Sequence, residues 1–171
     1  MSVPAEPGGS GARLWSFCVS HYGKPGVAAE CLALQEQFGA DVMVVLFAIY
    51  SGAHSGAQLS SERVAQADQV VCQWRAQVVA GLRGARRFLR DWRAPGGGAD
   101  LAAAAGDLRA RLQELELTAE RLEAGLLAAW LDEHVPELPT SESRAAVAYN
   151  IDSVLRFYGA TRAAPRHIQH V

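Results

Sequence analysis

Apolar residues recur along this chain mostly at helical spacing, and residues 25–50 set the plan for the rest. In PGVAAECLALQEQFGADVMVVLFAIY, the positions Val27, Cys31, Leu34 and Phe38 return every three or four residues, as one face of an amphipathic helix does. Glu30, Gln35, Glu36 and Gln37 lie largely outside that face. Gly39 closes the pattern. Asp41 is then placed to cap the next helix by accepting amide hydrogens of its first turn, and residues 42–50 are apolar almost without interruption. Their β-branched content would also suit a buried strand, but no second strand-like run exists to pair with it, so a central buried helix is predicted.

Before this stretch, Leu14, Phe17, Cys18 and His21 form one stripe and Trp15, Val19 and Tyr22 another. They predict a helix over 12–22 that stops at Gly23 and Pro25, with Gly23 suited to a left-handed cap. After it, 51–60 is rich in glycine and serine and predicts a loop, with Ser60 or Ser61 as the following cap. A long helix over 62–92 follows from Val64, Ala67, Val71, Trp74, Val78, Leu82, Ala85, Leu89 and Trp92. A kink or break is expected at Gly81 and Gly84, since glycine costs on the order of 1 kcal/mol against alanine inside a helix. Residues 94–99 hold three consecutive glycines and predict a loop, after which Asp100 caps a second long helix. Its heptad seam runs through Leu101, Ala105, Leu108, Leu112, Leu115, Ala119, Leu122, Leu126 and Ala129. Pro136 and Pro139 bracket a turn, Thr140 or Ser141 caps a last helix, and Val147, Ile151, Val154 and Tyr158 form its inner face.

The fold class that follows is all-α: a single-domain helical bundle of about six or seven helices over 12–159, with two long antiparallel helices joined across 94–99. Residues 1–11 read as a disordered leader and 160–171 as a mobile tail. Charge favours the pairing, because Arg83, Arg86, Arg87, Arg90 and Arg93 precede the loop whereas Asp107, Glu114, Glu116, Glu120 and Glu123 follow it. Those glutamates lie mostly off the leucine seam and read as a solvated or ion-paired face. Leu117, Leu127, Trp130 and Leu131 add apolar surface away from the seam, which a second neighbour has to cover.

Composition narrows the possible functions. A chain of 171 residues, half of them apolar, can build one proper core. Its net charge of −2 provides no overall field toward nucleic acid or an anionic membrane. Three widely spaced cysteines without a CxxC pair fit reduced thiols in the cytoplasm, and the polar start has no apolar region of the kind an export signal needs. The longest apolar run is about half of what a membrane-spanning helix requires.

No motif along the chain specifies a reaction, and neither a cofactor nor a metal is predicted. Cys18, His21, Cys31 and Cys72 could be imagined as a metal set or as a nucleophile with its base, but each cysteine falls on an apolar stripe where a thiol acts as a small hydrophobe. There is no Glu-x-x-His pair of the kind a di-iron bundle uses. The junction at Gly39 suggests a helix-turn-helix, yet 42–50 has almost nothing polar to offer base edges. The stripe from Arg83 to Arg93 is the one route left to nucleic acid, and pairing with the acidic helix accounts for it more simply. Gln35, Asp41 and His54 bracket the most apolar helix, with His21 and Tyr22 near it, and are a candidate pocket or only a structural pivot.

One resemblance emerges from these residues. LWSFCVSHYGKPGVAAECLALQEQFGADVMVVLFAIYSG followed by QWRAQVVAGLRGARRFL is similar to an uncharacterised, mostly proteobacterial helical family, domain-of-unknown-function family 2390. Trp15, Pro25-Gly26-Val27, Cys31-Leu32, Leu34-Gln35, Gly39, Asp41-Val42, Leu46-Phe47, Trp74-Arg75 and Arg86-Arg87 carry the likeness, over about the first half of the chain. It implies a small cytosolic helical protein and no activity. The family pattern often has histidine before the glycine and asparagine after Asp41-Val42, where this chain has Phe38 and Met43.

The expected role is a non-enzymatic protein-interaction or regulatory module, meeting a protein partner or a second copy through Leu117, Leu127 and Leu131 together with Arg83, Arg86, Arg87 and Arg90. The alternative is a small-molecule site or enzyme built on Gln35, Asp41, Trp74 and Arg75.

Overall fold

The computed structural model describes residues 9–135, 143–160 and 168, and every regular element among them is helical. In order these are α1 (Ser10–Tyr22), α2 (Val27–Phe38), α3 (Val42–Ser55), α4 (Ser61–Trp74), a π-helical turn (Arg75–Val79), α5 (Ala80–Asp91), a 3-10 turn (Pro95–Gly97), α6 (Ala99–His134) and α7 (Ser143–Phe157). The all-α class and single domain are as expected. The leader to residue 8, the Pro136 and Pro139 turn, the Thr140 or Ser141 cap and all of 161–171 except Ile168 lie outside the described residues.

α3 is the centre. Residues 43–52 are all buried, and α1, α2, α4, α6 and α7 pack around them. Asp41 starts the helix as predicted, its Oδ1 accepting the Val44 amide at 2.9 Å. Gly39, with φ at 66°, lets the chain leave α2 and enter α3 within three residues. At the other end of α2 the left-handed residue is Gly26, with φ at 84°, and not Gly23, which stays right-handed.

α3 continues a turn past the predicted loop start at residue 51. Two hydroxyls are absorbed by the helix itself, Ser51 Oγ donating to the Phe47 carbonyl at 2.9 Å and Ser55 Oγ to the Ser51 carbonyl at 2.7 Å. Gly52 belongs there because α7 crosses at that point: a β-carbon on residue 52 would stand 2.7 Å from the Val147 amide nitrogen. Asn150 of α7 ties the crossing down, accepting the Leu59 amide and donating to the carbonyls of Ala48 and Ala57. A fully buried amide satisfied on three sides belongs to the architecture.

The break expected at Gly81 and Gly84 occurs earlier. Both glycines sit in regular α5 with open space around them, and the irregularity is the π turn at Arg75–Val79. Its wider winding inserts a residue into the repeat, so that Val79 rather than Val78 is buried.

α6 departs most from its predicted seam. Ala119 is the only buried seam position among the described residues, whereas Leu101, Leu108, Leu115, Leu122 and Leu126 are exposed. Of the residues expected to need a further neighbour, Leu127, Trp130 and Leu131 are buried within the chain's own core and Leu117 is exposed. α6 has two apolar stripes, and α1 and α3 cover the second one. Gly11 and Gly125 allow α1 and α6 to approach closely. The cap of α6 also differs, since the helix begins at Ala99 and Asp100 falls in its first turn. Near the end, Ile168 is fully buried rather than part of a loose tail, its carbonyl accepting from His21 Nε2 at 2.8 Å and its amide donating to Glu30.

Among the described residues, no helix is long and apolar enough to cross a membrane.

Two glycines should respond in opposite ways to alanine. Gly52→Ala is expected to lose about 1–3 kcal/mol, because its new methyl meets α7 backbone. Gly81→Ala should gain about 0.5–1 kcal/mol in open helix. Urea denaturation of the three proteins measures both.

Candidate functional site

The turn that caps α3 also opens a buried polar network. Asp41 offers its second oxygen to Arg75 Nε at 3.5 Å, and Arg75 Nη1 donates to Asp68 Oδ1 at 3.0 Å. Tyr158, just beyond α7, donates its hydroxyl to the same Asp68 oxygen at 3.0 Å. The π turn starts at Arg75, so the irregular winding coincides with the guanidinium that joins the α2–α3 junction to α4. Beside it Trp74 Nε1 donates to the Ala119 carbonyl of α6 at 3.0 Å.

Further along, α5 and α6 are held by three ion pairs: Arg83 to Glu116 at 2.8 Å, Arg83 to Glu120 at 2.8 Å and Arg86 to Glu116 at 2.5 Å. Glu116 is buried and its carboxyl is held below the ordinary range by these guanidiniums, which overcome the upward push of burial. Pairing between the arginine stripe and the acidic helix is thus real for Arg83 and Arg86. Arg90 instead pairs with its own neighbour Asp91, and Arg87 is exposed.

Glu123 lies one turn past Glu120 and is 2% exposed, with Oε1 lacking a hydrogen-bond partner among the described residues. Burial pushes its carboxyl up to about 8; the charges of Asp41 and Glu120 add to the push, and Arg75 and Arg83 oppose it. Asp41 is raised as well, by burial first, against the pull of Arg75. Glu120 moves the same way, again chiefly through burial. The reason is visible in the inventory: the carboxyls of Asp41, Asp68, Glu116, Glu120 and Glu123 face the guanidiniums of Arg75, Arg83 and Arg86. With more acids than cations in a low-dielectric space, Glu123 keeps its proton near neutral pH. Such an arrangement can store and release a proton. Among the described residues, no group of three histidine, cysteine or acidic side chains is arranged to hold a metal ion.

Of the predicted pocket residues, Asp41 and Arg75 meet directly, and Trp74 flanks them. Gln35 does not join: it is half-buried and contributes its main-chain carbonyl to the Gly39 amide. Asp68, Glu123 and Tyr158 are the members that sequence reasoning missed; of the α6 glutamates expected to be solvated or ion-paired, Glu116 and Glu120 are ion-paired, whereas Glu123 is buried. Cys18 and Cys31 are buried thiols pushed up to about 12, foremost by burial.

A helical domain stitched internally by buried ion pairs is the class that this geometry defines. The chain belongs to the family described as Protein of unknown function (DUF2390), whose model matches residues 13–127. That match reaches through most of α6, beyond the first half of the chain on which the resemblance rested. Neither the curated proteins nor the solved structures yielded a match.

The raised carboxyl of Glu123 gives stability a pH dependence of definite sign. Its pKa is higher folded than unfolded, so the folded chain holds the extra proton between about pH 4.5 and about 8 and stability falls as pH rises through that window. The slope from this group is at most about 1.4 kcal/mol per pH unit. Glu123→Gln, which mimics the protonated acid, should flatten the decline and be more stable than the parent at pH 8. Denaturant titrations at several pH values measure it.

Proposed function

We propose that this chain is a non-enzymatic protein-interaction module, and that the surface it uses is the outward leucine row of α6. One observation carries the proposal: Leu101, Leu108, Leu115 and Leu122 stand at intervals of seven residues and are 47–56% exposed. A row at that interval stays in line only when the helix coils against a neighbour, because an unconstrained α-helix turns slightly away from it with each heptad. The row is about 30 Å long at the helical rise of about 1.5 Å per residue. Leu126 continues it with 41% exposure.

The partner that fits is a second copy, running antiparallel. With the twofold axis between Leu108 and Leu115, Leu108 faces Leu115 of the second copy and Leu101 faces Leu122. The exposed residues Arg111 and Glu114 lie near the same axis, so that each arginine meets the other copy's glutamate. A twofold contact uses every pair twice, which suits a self-complementary row.

Light scattering across a dilution series should show a dimer that dissociates on dilution. Leu108→Glu with Leu115→Glu is expected to give a monomer with unchanged helicity, since both sites are exposed. Arg111→Glu should weaken association at least tenfold, and adding Glu114→Arg should restore it. A parent chain that is monomeric throughout, or a dimer indifferent to the double glutamate variant, rejects the proposal.

A further inference from the structure

One residue late in the chain is held as a bound peptide would be. Ile168 is 0% exposed and joins the core cluster that contains Val27 and Cys31. Both of its main-chain polar groups are met by side chains, from residues 138 and 147 positions earlier. Its amide donates to Glu30 Oε2 of α2 at 3.0 Å, and its carbonyl accepts from His21 Nε2 of α1 at 2.8 Å. A peptide residue enters an apolar interior at low cost only when its N–H and C=O are both matched, and this pocket matches them.

The two gripping groups are set in place by their own helices. His21 is buried, and Phe17, one turn earlier on α1, stacks on its ring at 5.1 Å with 12° between the planes. A carbonyl only accepts, so Nε2 carries the ring hydrogen. Glu30 stands in the first turn of α2, where the helix dipole favours its negative charge. Neither bond belongs to a helix or sheet ladder, and each is addressed to atoms that every residue except proline carries. Selection therefore falls to the side chain. The apolar slot accepts isoleucine or a close homologue, the Glu30 carboxylate opposes an acidic residue, and proline brings no N–H for Glu30 to receive.

We infer that α1 and α2 form a recognition site for one apolar residue of a peptide, and that Ile168 is its ligand in cis. Neither hydrogen bond depends on covalent continuity, so a copy of the same segment supplied as a separate peptide makes the same contacts. The tether only raises the effective concentration of the ligand, which keeps the site filled in the parent chain.

The test titrates a fluorescent peptide with the sequence of residues 160–171 into two full-length chains, the parent and Ile168→Asp, and follows anisotropy. Saturable binding to the variant, at least about tenfold tighter than to the parent, is expected once the site is vacated. A peptide carrying Ile168→Val should bind within a few-fold of the native peptide, whereas peptides carrying Ile168→Pro or Ile168→Asp should bind about tenfold more weakly or worse. Circular dichroism checks the helicity of the variant chain, and Ile168→Gly replaces Ile168→Asp if the latter unfolds. Equal binding to parent and variant, no saturable binding to the folded variant, or equal affinity for the proline peptide overturns the proposal.

Discussion

Residues 42–50 present apolar side chains around the whole circumference of α3, so this helix has no face to give to water. Every other element takes its place from that requirement. α1, α2, α4, α6 and α7 each supply a strip of the sheath, and two small residues set how closely it fits: Gly52, where α7 crosses, and Gly39, where the chain turns back into the centre. Asp41 is the hinge between the two kinds of interior. One of its oxygens closes the first turn of the apolar helix and the other enters the charged network.

The network occupies the seam where the sheath helices meet one another and no longer touch α3 alone. Its members come from the α2–α3 turn, α4, the π turn, α5, α6 and the end of α7, so it reports on the relative placement of nearly the whole molecule. Buried charge of this kind adds little net stability by comparison with apolar packing, yet removing one partner leaves another stranded. Its effect is to specify one arrangement of helices among several that the apolar stripes alone would allow.

What was legible in the sequence is what depends on neighbours along the chain. The caps at Asp41 and Ser60, the glycine at 39 and the inner face of α7 follow from local rules, and the structure contains them. The choice between the two apolar stripes of α6 was not legible, because the leucine-rich stripe is the more regular one and the core instead uses Ala124, Leu127, Ala128, Trp130 and Leu131. Small residues won there since α1 approaches closely at Gly125. The charged network was hidden for a different reason. Asp68, Glu123 and Tyr158 each look like ordinary positions, and only the fold brings residues so distant in sequence to one place.

The π turn has a mechanical consequence. Each residue of an α-helix advances the azimuth by about 100°, so the additional residue between Arg75 and Val79 acts as a one-tooth offset between α4 and α5. Upstream of it the rod is fixed in the core through Val64, Ala67 and Val71; downstream it is geared to α6 through Arg83 and Arg86. Losing a single residue in that turn would leave both halves helical and both sets of side chains intact, while rotating the arginines a quarter turn or more away from Glu116. The rod thus behaves as a keyed shaft, in which the phase between its two ends is set by one irregular turn and by no contact that either end makes alone.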